Sequence, residues 1–106
     1  MSEKDEKTKL NIKLDEQTAQ GSYANFAIIN HGAEEFIVDF IFAQPGVPQA
    51  RVNSRILLSP AHAKRFLMAL KTNIDRYEQV FGPIKVPTVP TLQPTFIRAD
   101  DKDKVN

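Results

Sequence analysis

One segment, residues 59–83, constrains the fold more than any other because its sequence marks both ends of a helix. Ser59 is followed by Pro60, and serine is a preferred N-cap while proline is a preferred first helical residue. Gly82 and Pro83 mark the other end, since glycine closes helices in a left-handed conformation and proline cannot continue them. The sequence therefore predicts an amphipathic helix over 60–81. Its apolar side chains recur at helical spacing: Ala63, Phe66, Leu67, Leu70, Ile74, Tyr77 and Phe81.

The part of the chain before this helix carries strand signals. The first strand segment alternates apolar and polar residues, and the third, EFIVDFIF, is rich in β-branched and aromatic residues. A turn signal at 30–33 and the Pro45-Gly46 pair, which suits a type II turn, separate these runs. The predicted strands are 10–14, 23–30, 35–42 and 50–58.

These elements predict an α+β fold, an antiparallel sheet of about four strands with the one long helix packed on one face. The domain is expected to cover residues 10–86 of the 106. Residues 1–9 are charged and predict a disordered tail. Residues 87–106 predict an extended arm and a charged tail, because proline recurs there every three or four residues. A minimal P-x-x-P pattern at 87–90 fits an arm lying along a sheet edge or a neighbouring chain.

Strand pairing can be inferred from the apolar pattern, because a one-residue slip moves every side chain to the other face. Partner numbers summing to 94 for the third and fourth strands place Phe36 opposite Leu58 and Phe42 opposite Val52. Partner numbers summing to 64 for the second and third strands place Ile28 opposite Phe36. Both registers leave a second face that is half apolar and crossed by a polar row. Its predicted members are Tyr23, Ala27, Ile37, Ile41 and Leu57, with Asn25, Asp39 and Arg55 in the polar row.

A half-apolar sheet face needs a cover, since exposed contiguous apolar area marks interaction sites. The chain is short and has no cysteine, so disulfides cannot compensate for a small core. A partner subunit is one cover, which predicts a homo-oligomer, dimer or tetramer, and a non-enzymatic protein-interaction module. The other is the chain's own arm, whose apolar residues are Val86, Val89, Leu92, Phe96 and Ile97.

Charge suggests one alternative partner. Five basic residues between 51 and 71 have no acidic residue among them, which is compatible with phosphate contacts. Nucleic-acid domains usually have a pI above about 9, whereas this chain has a pI of about 8.0 and a net charge of +1. A solvated helix face is therefore favoured over a nucleic-acid site. The residues concerned are Arg51, Arg55, Lys64, Arg65 and Lys71.

No motif predicts catalysis, a cofactor or a metal site. Asp39 and Arg55 fit a cross-strand ion pair better than a catalytic acid and its clamp. His62 fits a capping turn better than an anion site, and His31 fits a turn. The N-terminus has no apolar signal region and no apolar run approaches the ~20 residues that span a bilayer, so a cytoplasmic protein without membrane contact is expected.

Several short motifs together resemble the bacterial family known as domain of unknown function 3467. They occur in order over about residues 21–86, and the resemblance implies no activity. They are YANF at 23–26, EFIVDF at 35–40, Arg55-Ile56, Ser59-Pro60, HAK at 62–64, Tyr77-Glu78 and FGPI at 81–84. The strand and helix order is also similar to the subunit of the SecB export chaperone. That similarity implies sheets joined between subunits, helices packed between dimers, and a chaperone for unfolded chains as a further alternative.

Overall fold

The computed structural model describes residues 9–87. In chain order it contains α1 (Glu16–Ala19), β1 (Phe26–His31), β2 (Phe36–Phe42), β3 (Arg51–Leu58) and α2 (Pro60–Phe81). The chain divides into two compact units, 1–71 and 72–106, and the division falls within α2. Residues 1–8 and 88–106, to which most of the predicted tail and arm belong, lie outside the described residues.

Helix α2 begins and ends at the predicted residues. The Ser59 hydroxyl accepts a hydrogen bond from the backbone N–H of His62 at 3.1 Å, so His62 is the capping-turn residue that the sequence predicted. At the other end Gly82 has a φ of +93° and donates its N–H to the Glu78 carbonyl at 2.9 Å. This is the left-handed closure that glycine permits.

The sheet has three antiparallel strands in the order β1-β2-β3 rather than four. The predicted strand at 10–14 is wrong, because its residues form neither strand nor helix. Leu10, Ile12 and Leu14 are all exposed. Alternation shows only that one face could be buried, whereas a strand also needs a neighbouring backbone to complete its hydrogen bonds. The fold class, α+β with an antiparallel sheet followed by a long helix, is confirmed.

The predicted β1–β2 register is wrong by three residues. His31 lies opposite Phe36 and Ala27 lies opposite Phe40. Each β1 side chain therefore lies on the sheet face opposite to the predicted one. The hairpin turn spans Gly32–Glu35, where the Gly32 N–H donates to the Glu35 carbonyl at 2.9 Å. The turn was predicted two residues earlier in the chain. The His31 and Phe36 rings stack across the closing pair with centroids 5.3 Å apart.

The predicted β2–β3 register is confirmed from Phe36–Leu58 to Phe40–Ser54 and fails beyond that point. A bulge leaves Asn53 without a partner in the ladder, so Ile41 lies opposite Val52 and Phe42 opposite Arg51. The predicted Phe42–Val52 pair is therefore wrong. The Pro45-Gly46 turn is confirmed, because Gly46 has a φ of +82° and the Val47 N–H donates to the Gln44 carbonyl.

Burial is confined to the central strand. Among the described residues the buried hydrophobic side chains are Val38 and Ile41, and the buried polar one is Asp39, all in β2. Helix α2 contributes no buried residue. Within the unit 1–71 both Phe66 and Leu70 of α2 are exposed.

Candidate interaction surface

Asp39 and Arg55 form a two-pronged ion pair across β2 and β3. Their backbones lie directly opposite each other, so both side chains project from the same face. Arg55 Nε is 2.8 Å from Asp39 Oδ1, and Arg55 Nη2 is 2.9 Å from Asp39 Oδ2. Asp39 is fully buried, whereas 57% of the Arg55 side chain remains exposed. Both carboxylate oxygens are therefore occupied by one guanidinium, as expected for a structural pair.

The pair shifts both ionisation equilibria towards the charged forms. The hydrogen bonds from Arg55 lower the pKa of Asp39, and they outweigh the burial of the carboxylate, which acts in the opposite direction. The carboxylate correspondingly raises the pKa of Arg55. Asp39 is a charged, paired group at neutral pH rather than a proton donor.

Only some of the residues predicted for the second sheet face lie on it. Ile37, Asp39, Ile41, Arg55 and Leu57 do share one face, as their registers require. Ala27 was predicted there but lies on the opposite face, because the β1 register differs by an odd number of residues. Ile41 is only 5% exposed and Asp39 is inaccessible, which leaves Leu57, at 56%, and Val52, at 44%, as the exposed large apolar residues of β2 and β3 on this face.

Tyr23 and Asn25, the remaining predicted members, lie before β1 and hold that segment against the sheet. The Asn25 side-chain amide donates to the Ala43 carbonyl and accepts from the Ala43 N–H, both at 2.9 Å, which reproduces a backbone pairing. The carbonyl of Tyr23 accepts from the side-chain amide of Asn53, the bulge residue, at 3.0 Å. The Tyr23 ring also meets Phe42 edge-on, with centroids 5.9 Å apart. Both residues make structural contacts, and Asn53 is a further member of this group that the sequence prediction did not name.

A shallow cleft of about 310 Å³ lies between this segment and the sheet. None of its lining side chains is ionisable, so it offers no group for acid–base chemistry. Its lining residues are Ser22, Ala24, Phe40, Asn53, Ser54 and Ile56.

The basic residues of 51–71 lie on two elements, β3 and α2. Arg55 is committed to Asp39, and Arg51 lies at the start of β3 opposite Phe42. Lys64, Arg65 and Lys71 belong to α2, where all three are exposed.

The apolar side of α2 is the largest run of exposed hydrophobic side chains on one described element. Exposure ranges from 38% at Ile74 to 74% at Val80 among its large apolar residues. The rings of Tyr77 and Phe81, one helical turn apart, contact each other with centroids separated by 4.8 Å. Exposed contiguous apolar area of this kind marks interaction surfaces. The sequence prediction had assigned these same side chains to the core.

Beyond α2 the chain is held by Glu78. Its carboxylate accepts a hydrogen bond from the Ile84 N–H at 2.8 Å, while its carbonyl accepts from Gly82. The motif Tyr77-Glu78 and Phe81-Gly82-Pro83-Ile84 is thus a helix-ending device. The sequence identified the glycine in it but not the role of the glutamate.

Neither a membrane-spanning helix nor a metal-ion cluster is found in residues 9–87. In that range no helix has the length and apolar character needed to cross a membrane. No three His, Asp or Glu side chains of the described part come together as a metal-ion cluster.

Comparison with known proteins gives one match. The model of a family described as "Protein of unknown function (DUF3467)" matches residues 1–86. No curated protein and no solved structure matches the chain, and the resemblance to the SecB subunit is not confirmed.

Proposed function

The chain belongs to the DUF3467 family, and we propose that it is a non-enzymatic protein-interaction module that associates with further copies of itself. The observation that carries the proposal is the exposure of the apolar side of α2, none of whose residues is buried. Burial of apolar side chains such as Leu70 and Ile74 contributes about 25 cal/mol of favourable free energy per Å² of apolar surface removed from water. A helix covered by a partner is therefore favoured over a solvent-exposed one.

The small core supports the same conclusion. Val38 and Ile41 are the buried hydrophobic residues of the described part, which is little for a chain of this length. Oligomerisation is a recognised route to stability for small domains that have neither disulfides nor metals. The chain has no cysteine.

The burial of individual residues supports an association through the helix. The sheet face that the sequence favoured has Asp39 and Ile41 inside, so much of it is not available to a partner. Phe66, Leu70 and Tyr77 of α2 remain about half exposed. Association is therefore assigned to the helix rather than to the sheet. The non-enzymatic character is supported by Asp39 and Arg55, whose charged groups are engaged with each other.

Sedimentation equilibrium of the full chain at micromolar concentration tests self-association. We expect a dimer or a larger species, and a monomer at all concentrations would refute the proposed function. Leu70→Glu places a charge on the apolar side of α2 and should dissociate the oligomer. Gln79→Glu adds the same charge at an exposed polar position of the same helix and should leave the oligomer intact. Circular dichroism of both variants checks that the helix is retained.

A further inference from the structure

Part of the apolar sequence of α2 follows a seven-residue repeat. Six residues, here called the helix stripe, are separated alternately by four and three positions, which is the spacing of a coiled-coil seam. The stripe runs almost the whole length of the helix. Its members are Ala63, Leu67, Leu70, Ile74, Tyr77 and Phe81.

We propose that two copies of α2 pair through the helix stripe in antiparallel orientation, with the two-fold axis near Thr72. The proposal rests on the self-association proposed above and specifies its geometry. In this register every stripe residue faces a stripe residue of the second copy. Ala63 faces Phe81, Leu67 faces Tyr77, and Leu70 faces Ile74, each pair occurring twice.

Side-chain size favours this orientation over a parallel one. The stripe is small at its N-terminal end, with Ala63, and bulky at its C-terminal end, with Tyr77 and Phe81, whose rings already contact each other. A parallel pair would stack alanine on alanine at one end and the aromatic rings on each other at the other end. The antiparallel pair combines a smaller with a larger side chain in its outer layers and the isomers leucine and isoleucine in its central layers, so the helices can stay at a constant separation.

The flanking residues favour the same register. Antiparallel pairing brings Lys64 of one copy beside Glu78 of the other, twice, and it brings the apolar flanking residues Phe66 and Val80 together. Glu78 uses Oε2 for the Ile84 N–H, which leaves Oε1 for a lysine. Lys71 of one copy lies beside Lys71 of the other near the axis. Repulsion between these like charges is unfavourable, and solvation reduces it. A parallel pair would instead place Phe66 beside Lys71 and form no pair of opposite charges.

Thiol crosslinking of the full chain distinguishes the two orientations, because the natural sequence has no cysteine. Asn73→Cys lies near the two-fold axis, so a short bis-maleimide should join two such chains. Ala63→Cys should not crosslink to itself, since 18 residues of helix at 1.5 Å each place the two thiols about 27 Å apart. In a parallel pair Ala63→Cys would crosslink efficiently.

A charge reversal supplies an independent readout. Lys64→Glu places a glutamate beside Glu78 at two symmetry-related positions and should raise the dimer Kd about ten-fold at low salt. Arg65→Glu makes the same change in charge at the neighbouring, outward-facing position, and we expect less than a two-fold change.

The possible outcomes separate the two proposals. An oligomer in which Asn73→Cys crosslinks and Ala63→Cys does not supports the antiparallel pair. An oligomer that crosslinks at Ala63, or at neither position, overturns the pairing but leaves self-association standing. A monomer overturns both proposals.

Discussion

Removing the guanidinium of Arg55 should destabilise the protein more than neutralising Asp39, although Asp39 is the buried member of the pair. The reason is that Asp39 is inaccessible to water while 57% of the Arg55 side chain is exposed. Arg55→Met keeps the aliphatic stem over the carboxylate and deletes both donors, so a buried charge loses its partner. Asp39→Asn leaves an amide oxygen to accept from Arg55, and the arginine charge can be hydrated.

The magnitudes follow from the burial of Asp39. Leaving a buried acceptor without its donors costs about 1–3 kcal/mol of unfolding free energy, and a charged acceptor lies at the high end of that range. We therefore expect about 3 kcal/mol for leaving Asp39 unpaired in Arg55→Met. Asp39→Asn keeps one hydrogen bond from Arg55 and loses the other, because the amide nitrogen cannot accept, so it should cost about 1–2 kcal/mol.

The pH dependence gives a second, independent check. Pairing holds the folded-state pKa of Asp39 below its unfolded value of about 3.9, so its contribution is present above that pH and is lost as the pH falls through the folded-state pKa. In Arg55→Met burial acts alone and raises the pKa of Asp39. The carboxylate then binds its proton more readily in the folded state, and the deficit of the variant should shrink towards pH 3.

Urea unfolding followed by circular dichroism measures these differences at pH 7 and near pH 3. The protomer concentration must be equal throughout, since the stability of an associating chain depends on it. An Arg55→Met variant as stable as Asp39→Asn, or one whose deficit does not change with pH, would refute the reasoning.

Two further substitutions test the Asn25–Ala43 hydrogen bonds and the left-handed backbone at Gly82. Asn25→Ala removes both hydrogen bonds to Ala43 and should cost about 1–2 kcal/mol, with faster hydrogen exchange at the Ala43 amide; unchanged exchange there would contradict the pairing. Gly82→Ala meets no neighbouring atom, so its expected cost of about 1–2 kcal/mol comes from the left-handed backbone alone. Exchange at the Ile84 amide should accelerate in the same variant, and full protection would show that the Glu78 contact does not need the glycine.

The sequence predicted the ends of α2, the Pro45-Gly46 turn and the strong strand signals, because each depends on neighbouring residues. Ser59 caps its own helix, and the Pro45-Gly46 pair forms its own turn. The Asp39–Arg55 pair was also predictable, since it lies in the portion of the β2–β3 register that the apolar pattern specified.

The tertiary structure decided what depends on residues distant in sequence. Residues 10–14 could form a strand only beside a neighbouring backbone. The β1 register depends on the hairpin turn at Gly32–Glu35, which lies two residues later than the sequence suggested. The bulge at Asn53 is held by the Tyr23 carbonyl, 30 residues away. Periodicity established that α2 has an apolar side, but the same pattern suits a core and an interface equally well. Only the tertiary structure shows that none of the residues of α2 is buried.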